Sequence, residues 1–238
     1  MPPTRLPAPA ALLMMGWLTV VLLVDSRDSH PTQRLLGLAT WAVLGIALTR
    51  VTPTVRAQTL VVVGFATLVE FLASPTLHVY LYRFHNVPMY VPPGHGLVYL
   101  SAFALGHAGW VERRLHRWAG LVVTLGGAWA VYGLLTPRHD VLGALWYLCL
   151  LGFLRWGPSR QVYVGAFVVV SYLELVGTRL GTWTWSLHDP TGLVSIGNPP
   201  SGAAGGYGWF DLVGLLLAPY VVRWVTRRPG RPARVDAH

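Results

Sequence analysis

The chain has 238 residues, 53% of them hydrophobic and 11% charged, and its mean hydropathy of +0.49 excludes an ordinary soluble domain. The net charge of +9 is carried by 18 arginines and no lysine. It reads as membrane topology rather than as a nucleic-acid surface. The single cysteine, Cys149, lies in an apolar run and excludes an internal disulfide or a thiolate metal site.

Apolar runs recur along the whole length and predict about eight helices, roughly 7–24, 35–49, 57–74, 96–111, 118–135, 140–155, 161–178 and 205–226. The first follows Arg5 in the manner of a signal peptide. No small-x-small cleavage site stands near Asp25, so it is read as the first span. The second is short and bracketed by Arg34 and Arg50, whose long side chains snorkel to the interface. The third carries Glu70 near its end. A loop follows with His78, Tyr80-Leu81-Tyr82, Arg83, His85 and the turn string Pro92-Pro93-Gly94-His95-Gly96, ahead of the fourth helix with His107.

The seventh helix carries Glu174 in the same relation to its end. Its loop holds Trp183-Thr184-Trp185 and the string Asn198-Pro199-Pro200-Ser201-Gly202, and the last helix contains Tyr207, Trp209 and Asp211. The order is therefore stated twice: a carboxylate in an apolar run, an aromatic-x-aromatic pair, a Pro-Pro turn, another apolar run. This predicts an all-α polytopic membrane bundle, one domain over 1–226, with four-helix repeats 1–115 and 116–226 and a basic cytoplasmic tail 227–238. An even helix count per repeat makes the copies parallel, related by an axis along the membrane normal. All the arginines except Arg27, Arg34, Arg83, Arg138 and Arg179 fall on the side of the termini. That bias predicts an inner-membrane protein with both termini cytoplasmic and both motif loops outside.

An ionisable side chain deep in a bilayer costs roughly 3 kcal/mol or more, which makes Glu70, Glu174 and Asp211 the candidate catalytic groups. A carboxyl group taken out of water favours its neutral form, which suits a general acid. The aromatics Tyr80, Tyr82, Trp183, Trp185, Tyr207 and Trp209 are candidate substrate-binding residues, able to line an apolar pocket and to face a developing cation. As a plain alternative they form an interfacial belt. Asn198, His78, His85, His95 and Arg83 complete the candidate binding set. The histidines invite a metal reading, but no ligand string such as His-Glu-x-x-His occurs, and neither a metal nor another cofactor is expected.

The string Glu174-Leu-Val-Gly177-Thr178-Arg-Leu-Gly181-Thr-Trp183-Thr-Trp185 resembles a motif of the bacterial and archaeal carotenoid hydratases. Those membrane proteins carry Glu-x-x-Gly, then Gly and an aromatic-x-aromatic pair, then a proline-containing loop. The likeness spans about residues 174–211, and the chain departs from it in its Trp pair, its Asn-Pro-Pro turn and its His-rich first motif. The resemblance implies proton-initiated chemistry on an isoprenoid double bond, of the lyase or isomerase type. The expected partners are a lipid-soluble small molecule and membrane lipids, and no nucleic acid. Two other readings stay open: a transporter with a carboxylate site at a repeat interface, and a metal-dependent lipid enzyme using His78, His85 and His95.

Overall fold

The computed structural model describes residues 6–226, so the basic tail 227–238 lies outside the described residues. The chain runs α1 (Ala8–Asp25), α2 (His30–Thr49), α3 (Pro53–Phe71), a π-helical turn (Leu72–Thr76), β1 (Tyr80–Tyr82), α4 (Val91–Gly106), a short α5 (Gly109–Glu112), α6 (Leu115–Leu135), α7 (Val141–Trp156), α8 (Arg160–Leu180), β2 (Trp183–Trp185) and α9 (Ala203–Thr226). The fold is an all-α bundle. Among the described residues, five helices are long and apolar enough to cross a membrane: α1, α3 with its π-turn, α6, α8 and α9. Helix α7 is apolar but shorter.

Helix starts follow local chemistry. Proline stands in the first turn of α1, α2, α3 and α4, where its missing N–H is not needed. Thr52, Asp140 and Ser159 cap α3, α7 and α8 by accepting from Val55 N, Gly143 N and Val162 N. The fourth helix begins earlier than its apolar run suggests. Pro92, Pro93 and Gly94 form its first turn rather than a turn ahead of it. That extension places His95 on a helix. The matching Pro199-Pro200-Ser201 string stays outside α9.

Four helices make the centre. Helix α4 lies mainly on α8, and α3 mainly on α9, while α1 covers α4 and α7 covers α9. Small residues allow the closest of these approaches: a Cβ on Gly106 or Gly165 would collide with the backbone at Gln161 or Ala102 across the α4–α8 contact. Helix α4 is buried on nearly every face, including Leu97, Tyr99, Leu100 and Ala104.

At one end of the bundle β1 and β2 pair antiparallel, with Leu81 opposite Thr184, Tyr80 opposite Trp185 and Tyr82 opposite Trp183. Both motif loops therefore lie at the same end. The α1–α2 connection joins them there through Arg83, which donates to the carbonyl oxygens of Ser26 and Asp28. The α6–α7 connection joins through Asp140, whose carboxylate accepts from Gly197 N at 2.7 Å and Ser201 N at 2.6 Å.

Candidate functional site

Under the strand pair lies a cavity of about 460 Å³ among the central helices, α1 and α7, with walls that are almost entirely apolar. Leu18, Val21, Phe65, Val69, Leu142 and Trp146 are among the residues that make this greasy surface. Two buried carboxylates interrupt it, and the partly exposed Asp189 stands at its edge. Glu70 from α3 and Glu174 from α8 both line the cavity, at 4% and 2% exposure.

Each carboxyl group is held by three polar partners in the same arrangement. Glu70 Oε2 accepts from the hydroxyls of Tyr80 and Tyr82, both at 2.8 Å, and Oε1 meets His95 Nε2 at 2.8 Å. Glu174 Oε2 accepts from the indole N–H groups of Trp183 and Trp185, both at 3.0 Å, and Oε1 accepts more weakly from the Tyr207 hydroxyl at 3.4 Å. In both cases the aromatic-x-aromatic strand supplies two donors and the following helix supplies the third partner. His95 is the fifth residue of α4, and Tyr207 the fifth of α9. The two triads touch. The His95 and Tyr207 rings lie 5.4 Å apart, and the Tyr80 and Trp185 rings 4.6 Å apart.

The local sequence explains the geometry. A strand places alternate side chains on one face, so an aromatic-x-aromatic triplet aims both rings the same way, here into the cavity. Gly181 ends α8 in the left-handed conformation with φ +69°, which turns the chain back toward Glu174. Gly177 leaves room for the Trp183 indole, which a Cβ would strike. Asn198 Oδ1 accepts from Trp185 N, and Arg138 donates to Trp185 O, so β2 is tied from two sides.

The donors differ in kind. Burial pushes the Tyr80 and Tyr82 hydroxyls well above the usual 10, so both keep their protons. A phenol can also accept a hydrogen bond, and imidazole can do either. An indole N–H only donates. Glu174 Oε2 is thereby committed to accepting, and a proton on this group has Oε1 as its seat.

Of the candidates read from the sequence, Glu70, Glu174, Tyr80, Tyr82, His95, Trp183, Trp185, Tyr207 and Trp209 line this cavity. Asp211, Asn198, His78, His85 and Arg83 do not. Asp211 is buried one turn beyond Tyr207, deeper in the bundle, and its Oδ2 has no hydrogen-bond partner among the described residues. His78 and His85 flank β1 with φ of 54° and 55°, turn conformations that shape the chain around the strand. Arg83 leaves Glu70 to the aromatics and stacks instead over Phe84, 4.3 Å from its ring centre. Among the described residues no group of three His, Cys, Asp or Glu side chains converges as a metal site.

Two buried carboxylates escaped the sequence reading. Asp25, at the end of α1, accepts from Gln33 Nε2 and Tyr90 OH, and Asp140 clamps the Pro-Pro loop. The cap position of Asp140, ahead of an apolar run, was the available signal for the second.

Trp209 faces two ways. It lines the cavity and also a second, outer groove formed with Cys149, Gly152, Phe153, Trp156, Gly157 and Leu212. It is 48% exposed and meets Phe153 edge to face at 5.2 Å. Comparison with protein-family models, curated proteins and solved structures finds no match to this chain.

Proposed function

We propose that this protein is an integral membrane enzyme performing acid–base chemistry on a lipid-soluble, isoprenoid-like substrate, as the likeness of residues 174–185 to carotenoid hydratases implies. The observation that carries this reading is the pair of buried, triply hydrogen-bonded carboxylates on the walls of one apolar cavity. An apolar substrate offers no polar handle, so the cavity recognises it by burial, at roughly 25 cal/mol per Å². The fixed carboxyl groups then act on a double bond held between them.

In this mechanism Glu174 donates the proton from Oε1. The π electron pair of the alkene takes it, leaving a carbocation on the substrate and a carboxylate on Glu174. The indole donors at Oε2 stabilise that charge as it forms. The Glu70 carboxylate and the rings of Tyr80 and Trp185 face the cation. Loss of a proton from the cation to the Glu70–His95 pair completes an isomerisation, and capture of water, with the same pair taking one of its protons, completes a hydration; return of that proton to Glu174 resets the site.

The same reading takes the molecule as two parallel repeats. The order helix, helix, helix, strand, helix recurs on either side of α5. A twofold axis through the Leu81–Thr184 pair would exchange β1 with β2 and the α4–α8 contact with the α9–α3 contact. Eight spans follow if α2, α4 and α7 also cross. For α4 this asks little apolar surface, because its neighbours enclose it. The arginine bias supports an inner-membrane location with the strand end outside.

The decisive experiment is Glu174→Gln, which keeps shape and hydrogen bonding and removes the transferable proton. Conversion of a panel of linear polyenes in membranes should fall about 10²- to 10⁴-fold, with folded protein quantified alongside. Full turnover in the variant would remove Glu174 as the acid.

A further inference from the structure

The cavity and the outer groove follow one another along the same two helices. On α7 the cavity wall is made by Leu142 and Trp146, and the groove continues with Cys149, Phe153 and Trp156. These positions alternate by four and three residues, so the five side chains share one stripe of the helix. At 1.5 Å per residue that stripe is about 21 Å long. On the facing helix α9, Gly206 and Trp209 belong to the cavity, and Trp209 and Leu212 to the groove, again at helical spacing. The two spaces are successive stretches of one α7–α9 seam, and Trp209 is wall to both.

The groove has room and suits hydrocarbon. Its volume is about 310 Å³, and apart from the Cys149 thiol its lining is aliphatic, aromatic or glycine. Its far end lies open, with Trp156 78% exposed. Gly152 keeps its floor low: within 4 Å a Cβ there would meet only the Trp156 ring, at 3.9 Å. The cavity itself holds about 460 Å³. At about 30 Å³ for a group of water's size, it encloses on the order of fifteen carbons. A longer chain must continue elsewhere, and the seam past Trp209 is the apolar surface that continues the wall. We infer that the groove is a tail subsite: a bound chain keeps its reacting stretch in the cavity with Glu70 and Glu174 and lays its remainder along α7 and α9 over Trp209. The inference rests on the reading of the cavity as a lipid substrate site. It narrows that substrate to a linear apolar chain of more than about fifteen carbons.

Cys149 is the chain's single cysteine and is half-buried in the groove, so it takes one reporter without mutagenesis. Full-length protein with a trifluoroethylthio tag on Cys149 and nitrogen-15 indoles is reconstituted in lipid nanodiscs. It is titrated with squalene, a linear chain of thirty carbons, and with myrcene, one of ten. The Trp185 indole resonance reports the cavity, and the fluorine resonance reports the groove. Squalene should move both signals with one midpoint, and myrcene the indole alone. Excess myrcene, by filling the cavity, should displace squalene and return the fluorine signal to its starting position. Gly152→Phe should weaken squalene at least about tenfold and leave myrcene unchanged, since it removes only the surface against which the tail is buried. A fluorine shift that persists under excess myrcene means an independent lipid site and overturns the inference. So does squalene that moves the indole and leaves the tag unmoved. If neither hydrocarbon moves the indole, the lipid-substrate reading falls together with the inference. These are binding signals and should survive Glu174→Gln, so failure of the acid mechanism is visible separately.

Discussion

Gly177 is where one methyl group separates a formed site from a broken one. The Trp183 indole lies against its backbone, and a Cβ there would meet the six-membered ring directly. Gly177→Ala therefore pushes the indole off, and its N–H off Glu174 Oε2. The helix itself gains from alanine, so overpacking should cost roughly 1–3 kcal/mol without unfolding the bundle. A lost hydrogen bond to a charged group is worth about 1.5–3 kcal/mol, so activity should fall about 10- to 100-fold. Turnover and tryptophan emission measured together check this. Wild-type values of both would show that the indole is not held as described.

At the scale of elements, the segment between β2 and α9 holds its shape through short polar clasps. Asp189 accepts from Thr191 Oγ at 2.6 Å and from Val194 N at 2.8 Å, closing a turn beside the cavity. These bonds, the Thr191 hydroxyl foremost, hold its carboxyl below the ordinary value of 3.8. A depressed folded value means that the clasp is complete above 3.8 and opens as the pH falls through the lower, folded value. The Val194 amide resonance should stay constant between roughly pH 5 and 7 and move only in stronger acid. A shift centred near neutrality would contradict this clasp. Much at this scale was legible beforehand. Long apolar runs with prolines and caps at their starts announce helices, and two carboxylates repeated with aromatic pairs announce a common place in the fold, here the wall of one cavity. The first turn of α4 was not legible, because Pro-Pro-Gly reads as a loop until its helical neighbours enclose it. Nor was the fate of Arg83, whose carbonyl partners Ser26 and Asp28 come from a distant connection. Asp211 and Glu174 look equivalent in a string of letters. Only the packing of Tyr207 one turn above Asp211 separates the group at the cavity from the group below it.

For the whole molecule, the strand pairing puts the two motif loops at one end, while the α2–α3 connection and the arginines of 113–117 lie at the other. In the proposed orientation, which rests on the positive-inside bias, that second end faces the cytoplasm. Reporters fused after Arg117 and within 186–196 should then signal opposite compartments, and the same compartment for both would reject the orientation. Trp209, shared between the cavity and the outer groove, bears on how such a protein is supplied. On the proposed reading, a cavity filled sideways past Trp209 draws on the bilayer as its solvent. The relevant concentration is then the substrate's mole fraction in lipid, and bulk water hardly enters. Diluting the membranes with buffer should leave the initial rate per protein unchanged. Diluting the substrate with inert phospholipid, at constant total substrate, should slow it in proportion until saturation is regained. The reverse pattern would mean that substrate arrives through water, past the strands.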